Sequence, residues 1–126
     1  MGIRPEVWGP VLWGAIHLTC LTGTATPEFI NSFADALPCP ACSAHFKELL
    51  MELPFPDSND PMILFQWSVN VHNSVNARIG KPIITMEQAL QRWTAVPKTE
   101  PHQFDYKIPF MIVLFIIFFF AVSKLL

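Results

Sequence analysis

Apolar residues recur at helical spacing from the start of the chain. Trp8, Leu12 and Ile16 form one set at intervals of four, and Trp13, His17 and Leu21 form another, so a first helix is predicted over Trp8 to Leu21. Thr26 supplies a capping hydroxyl ahead of Pro27 and Glu28. A second helix starts there and carries Phe29, Ile30, Phe33 and Leu37 before stopping at Pro38. Pro40 can open a third helix bearing Phe46, Leu49 and Leu50, which ends ahead of Pro54, Pro56 and the Asp57-Ser58-Asn59 turn. Asp60-Pro61 begins the fourth and longest helix, with Phe65, Val69, His72 and Asn76 along one face and Gly80 at its exit. Thr85 and Gln88 make a capping box for a short fifth helix that ends near Trp93. Strand signals are nearly absent, and the expected class is all-α.

The pattern changes in the last nineteen residues. Ile108 to Val122 is an uncharged apolar run with Lys107 before it and Lys124 near its end. As a helix, 108–126 would reach about 28 Å, close to the ~30 Å hydrocarbon core of a bilayer, and Lys124 can extend to the headgroups. A helix lying on the membrane surface needs a polar face, which this run lacks. Met1 to Val7 holds Arg4, Pro5 and Glu6, and Gly9, Pro10, Gly14 and His17 interrupt the residues that follow, so no leader peptide is expected. The sequence therefore predicts a tail-anchored, single-pass chain with its folded part on the cytosolic side: a domain over 1–96, a linker over 97–107 containing Pro97 and Pro101, and a membrane anchor over 108–126.

A length of 126 residues allows one domain, and a net charge of −2 without a basic run argues against nucleic acid as a partner. The three cysteines carry more information. Cys39-Pro40-Ala41-Cys42 spaces two thiols so that they can close into a reversible disulfide, although the same spacing also serves zinc. Stable structural disulfides are rare in the cytosol, which favours a catalytic or metal-bound pair over a staple. Cys20, flanked by Leu18 and Leu21, reads as a core residue. Cys39 falls at the mouth of the third helix, where free amides and the positive end of the dipole favour a thiolate. A thioredoxin fold needs parallel strands that this sequence does not offer, so an all-helical dithiol domain points to a bound cofactor. Two alternatives remain open at this stage. One is a zinc-binding membrane adaptor using Cys39, Cys42 and His45 with Cys20 or His72, and the other is a flavin-free dithiol relay.

Four motifs resemble the Erv/ALR family of FAD-dependent sulfhydryl oxidases: Trp13-Gly14-Ala15-Ile16-His17, Cys39-Pro40-Ala41-Cys42, Gln66-Trp67 followed by His72-Asn73-Ser74-Val75-Asn76-Ala77-Arg78-Ile79-Gly80-Lys81-Pro82, and Arg92-Trp93. The likeness extends over Trp8 to Trp93 and is greatest to the small forms carried by large DNA viruses, which would place the protein in host cytoplasm or a virion membrane. It implies a four-helix bundle plus a short fifth helix, with FAD lined by Gly9, Trp13, His17, His72, Asn73, Asn76, Arg78, Lys81, Arg92 and Trp93, and no metal. Cys42 would be the thiol beside the flavin and Cys39 the interchange thiol. Reduced protein thiols or a thioredoxin-like client would be the substrate, O2 the acceptor with H2O2 as product, and a homodimer through the first two helices the assembly. The residue types suit this arrangement: indole faces stack on adenine, His and Asn bond ring edges and ribose, and Lys81 or Arg78 meets the pyrophosphate. Two positions depart from the family pattern. Leu37 stands where many members carry tyrosine, and Val69 occupies a structural cysteine position. With no second pair, electrons must enter directly at Cys39 and Cys42.

Overall fold

The computed structural model describes residues 3–95; the expected linker and membrane anchor lie outside the described residues. Five helices follow one another: α1 (Pro5–Leu21), α2 (Pro27–Ala36), α3 (Pro40–Glu52), α4 (Pro61–Arg78) and α5 (Met86–Thr94). No strand occurs among the described residues, and no helix there is long and apolar enough to cross a membrane.

Local chemistry starts most of these helices. Thr26 Oγ1 accepts from Phe29 N–H at 3.2 Å, Asp60 Oδ1 accepts from Met62 N–H at 2.8 Å, and Thr85 with Gln88 closes a reciprocal capping box at α5. Proline occupies the first helical position of α1 to α4, where its missing N–H is not needed. α1 begins earlier than the apolar pattern predicts, because Pro5 and Glu6 suit a helix start although they belong to no apolar face. The helix continues through Pro10, whose ring removes one backbone bond near the exposed end. Beyond α4, Gly80 adopts a positive φ of 71°, and Lys81 N–H returns to Asn76 O at 2.8 Å to end the helix.

α4 is the axis of the packing. One flank, formed by Leu64, Trp67 and Val71, buries against Ile16 and Cys20 of α1, Ile30 and Ala34 of α2, and Phe46 of α3. The opposite flank presents Phe65 and Val69 to Ala89 of α5, with Leu21, Ile84, Leu90 and Trp93 around them. The most extensive helix pairing is α1 with α4. The middle of α4, from Leu64 to Val71, is buried apart from Gln66 and Asn70, which face solvent.

Polar ties fix the connections. Ser43 Oγ donates to Ala34 O at 2.7 Å, joining the start of α3 to the end of α2. Trp67 Nε1 donates to Leu53 O at 3.0 Å and meets Phe55 edge-on at 5.0 Å, which holds the segment between α3 and α4. Asn73 pairs with the backbone of Ile84 in both directions, Nδ2 donating to its carbonyl at 2.8 Å and Oδ1 accepting its N–H at 3.0 Å. Asn76 Nδ2 adds a bond to Pro82 O at 3.3 Å. The segment leading into α5 is thereby pinned alongside α4.

Trp67 combines the largest buried surface of α4 with a bond to a carbonyl. Trp67→Ala should cost about 3–5 kcal/mol of unfolding free energy, read as a lower denaturant midpoint. A change below about 1 kcal/mol would show that the α3 to α4 segment does not depend on it.

Candidate functional site

Cys39 and Cys42 form a disulfide at the N-terminus of α3, with their Cα atoms 5.2 Å apart. Cys39 is the N-cap residue, and its sulfur accepts the Cys42 N–H at 3.2 Å. A position normally held by a side-chain oxygen is thus held by a disulfide sulfur. When the pair is reduced, the same N–H and the helix dipole stabilise a Cys39 thiolate. Ser43 and Pro40 set this geometry from either side, one by its bond to α2 and the other by opening the helix.

Cys42 faces a cavity of about 1100 Å³ between α1, α3, α4 and the α5 end of the domain. Trp8, Gly9, Leu12 and Trp13 of α1 form one wall, and Phe46 of α3 adjoins Cys42. His72 and Asn76 of α4, then Arg78, Lys81, Arg92 and Trp93, complete the lining. The volume is slightly above the ~300–1,000 Å³ usual for small-molecule sites.

The aromatic wall is ordered. Trp13 and His72 stack at 4.0 Å with their planes 7° apart, and Phe46 meets Trp13 edge-on at 5.9 Å. His17 lies behind them, 5.1 Å from His72 and 5.3 Å from Trp93 between ring centroids. Gly14 permits the approach of Trp93, since a Cβ there would stand 3.3 Å from the edge of the indole. His17 and His72 are joined directly, Nε2 to Nδ1 at 2.9 Å.

Burial governs the charge of this pair. It pushes His17 down to about 4, helped by His72 and Arg92, and pushes His72 down to about 4, helped by Arg92 and Lys81. Both rings are therefore neutral at pH 7, and the aromatic wall is uncharged beside a cationic rim. Burial also pushes the Cys20 thiol up to about 11, which keeps it protonated in the core.

Among the residues singled out from sequence, Cys42, Gly9, Trp13, His72, Asn76, Arg78, Lys81, Arg92 and Trp93 converge on the cavity. Cys39 stands off the cavity wall, as does His17, which backs His72. Asn73 lies off the wall too, with both ends of its amide committed to Ile84. For the zinc alternative, His45 is exposed, and no group of three His, Cys, Asp or Glu residues among those described could hold a metal ion. Sequence reasoning passed over Ser68, which is buried and bonded to His17 Nδ1 at 2.9 Å. Its signal was a hydroxyl placed between the core residues Trp67 and Val69 of α4.

The lining suits a flavin dinucleotide. Flat faces at Trp13, His72 and Trp93 match planar ring systems, three cations match a diphosphate, and a disulfide cysteine lies on the same wall.

Neutral imidazoles in the fold also set a pH dependence. In the unfolded chain each histidine takes up a proton below about pH 6.5, whereas in the fold it does so only near pH 4. Stability should thus be intact above pH 6.5 and fall as the pH drops toward 4. Thermal unfolding should show a declining midpoint already between pH 6.5 and 5, ahead of most carboxylate titration. A flat profile in that interval would mean that the two rings together bind as many protons in the fold as in the unfolded chain.

The profile of the Erv1 / Alr family matches residues 12–94, from within α1 to the end of α5. The 347L protein of Invertebrate iridescent virus 6 is 27% identical over 106 residues, covering 72% of this chain and 96% of that protein. The FAD-linked sulfhydryl oxidase of African swine fever virus is 30% identical over 90 residues, covering 64% of this chain and 75% of that protein. The crystal structure of the FAD binding domain of Erv1 from Saccharomyces cerevisiae aligns with a TM-score of 0.64 at 23% identity, over 72% of this chain and 94% of that one, a likeness of fold. With a family match that runs from the aromatic wall through the cysteine pair to Trp93, this chain belongs to the Erv1 / Alr family.

Proposed function

We propose that this protein is an FAD-dependent thiol oxidase that makes disulfide bonds in client proteins and passes the electrons to O2, giving H2O2. The observation that carries the reading is the position of Cys42, which is bonded to Cys39 and lies on the wall of an aromatic and cationic cavity. The name borne by the African swine fever virus relative, FAD-linked sulfhydryl oxidase, describes the same chemistry.

Thiol exchange follows from the geometry at α3. A client thiolate attacks Cys39 Sγ, the Cys39–Cys42 bond breaks, and Cys42 leaves as a thiolate at the cavity wall. A second client thiolate attacks the client sulfur of the mixed disulfide and releases Cys39 as a thiolate, held by the Cys42 N–H. The client has then lost two electrons and gained a disulfide, and Cys39 and Cys42 hold those electrons. Bound FAD would supply the two-electron acceptor that reoxidises the pair and the route to O2. Arg78, Lys81 and Arg92 would hold its diphosphate, Trp13, His72 and Trp93 its rings, and the neutral histidines leave the ring wall without charge.

The assembly and location belong to the same proposal. Ile3, Val7, Val11 and Leu18 form an exposed apolar strip on and before α1, which supports a homodimer through this side. The run over 108–126 serves as a transmembrane anchor, with 97–107 as spacer and the catalytic domain, 1–96, in the host cytoplasm or on a virion membrane.

The purified full-length protein should be yellow and should consume O2 with a dithiol. Cys39→Ser and Cys42→Ser should each abolish turnover while keeping the flavin. Only Cys39→Ser should show the long-wavelength band of a thiolate beside the ring, because its Cys42 stays on the cavity wall. A folded, colourless wild-type protein would sink the oxidase reading.

Deletion of 108–126 should move the protein from the membrane fraction to the soluble fraction without changing its FAD content or its activity on a small dithiol. A deleted protein that stays with membranes through an alkaline wash would show that the anchor lies elsewhere.

A further inference from the structure

Ser68 is completely buried in α4, at 0% exposure, and takes no part in the thiol chemistry. Its hydroxyl oxygen lies 2.7 Å from Phe65 O and 2.9 Å from His17 Nδ1. A carbonyl can only accept, and a hydroxyl has one proton to give. Ser68 therefore donates to Phe65 O, and His17 Nδ1 must bring the proton for the contact with Ser68.

The assignment propagates through the pair. A neutral imidazole carries a single N–H, so His17 with its proton on Nδ1 has a bare Nε2. The 2.9 Å contact between His17 Nε2 and His72 Nδ1 then needs its proton from His72. His72 is in turn left with a bare Nε2. That atom bonds to no group among the described residues, and no buried side-chain polar atom there lacks a partner, so it is open rather than sealed in the core. His72 lines the cavity, and this is the polar atom it has left to offer.

We propose that Ser68 is a positioning residue of the cofactor site: through His17 it fixes His72 as the Nδ1–H tautomer, so that the cavity wall offers a hydrogen-bond acceptor at His72 Nε2. The ligand group selected there is one that brings an O–H or N–H. Identification of that ligand as FAD rests on the proposed function, whereas the tautomers rest on the hydrogen-bond geometry alone. With an apolar residue at this position, a proton on His17 Nδ1 would be buried without a partner. The proton then belongs on His17 Nε2, His72 Nδ1 becomes the acceptor, and the wall changes from acceptor to donor.

Two-bond ¹H–¹⁵N correlation spectra of the full-length protein, labelled at histidine and recorded at pH 7.5 with and without added FAD, read these tautomers directly. Wild type should show Nδ1–H for both His17 and His72. Ser68→Ala should convert both to Nε2–H, and Ser68→Thr, which keeps the hydroxyl, should restore the wild-type pattern. FAD dissociation should be faster by about tenfold in Ser68→Ala and near normal in Ser68→Thr. An Nε2–H signal from wild-type His72, or a His72 tautomer that does not respond to Ser68→Ala, would overturn the proposal. A tautomer change with unaltered FAD dissociation would overturn the positioning role. If the wild-type protein bound no FAD, the oxidase reading would fall, and the spectra would still decide the tautomers.

Discussion

Burial of α4 on two sides is the constraint on which the remaining structure depends. Leu64, Trp67 and Val71 draw in α1, α2 and α3, while Phe65 and Val69 hold α5. The two buried flanks leave little room for polar groups, and any that lie between them must find partners nearby. Ser68 and His17 do so with each other, and the chain of bonds emerges at His72 where α4 leaves the core and meets the cavity. The site is therefore an outgrowth of the core. Its aromatic wall rests on the same helix that organises the fold, which keeps side chains from α1, α4 and α5 in register with a cysteine pair on α3.

Helix boundaries were the most legible part of the sequence because they are written in local chemistry. Thr26, Asp60 and Thr85 cap the helices they were expected to cap, and Pro27, Pro40 and Pro61 stand at first positions. The Cys39-Pro40-Ala41-Cys42 spacing and the cluster after His72 pointed to the two sides of the site. The lining that periodicity could not supply came from four motifs far apart in sequence, and most of those residues meet at one cavity.

What stayed hidden depends on direction within a crowded interior. Spacing placed Phe65, Val69, His72 and Asn76 on one face, but it could not show that Leu64, Trp67 and Val71 face another part of the core. Asn73 and Asn76 read as cofactor contacts because asparagine amides suit ring edges, yet both also donate to backbone carbonyls of the segment after α4. Asn73 acts there like a strand neighbour, a role for which residue identity has no distinguishing mark. Ser68 was obscured for a related reason: one hydroxyl among apolar neighbours identifies no partner until α1 is laid against α4.

The bond from Cys42 N–H to the N-cap sulfur has an implication for the direction of electron flow. A thiolate accepts that hydrogen bond more strongly than a disulfide sulfur does, so α3 favours the reduced pair over the oxidised one. Favouring the reduced form raises the reduction potential of the couple, by ~30 mV for each 1.4 kcal/mol in a two-electron exchange. The helix start thus makes the disulfide a stronger oxidant than the same two cysteines in an unstructured peptide, and it lowers the driving force for the pair's own reoxidation by the same amount. Whatever accepts electrons from the pair must lie at a potential high enough to overcome that bias.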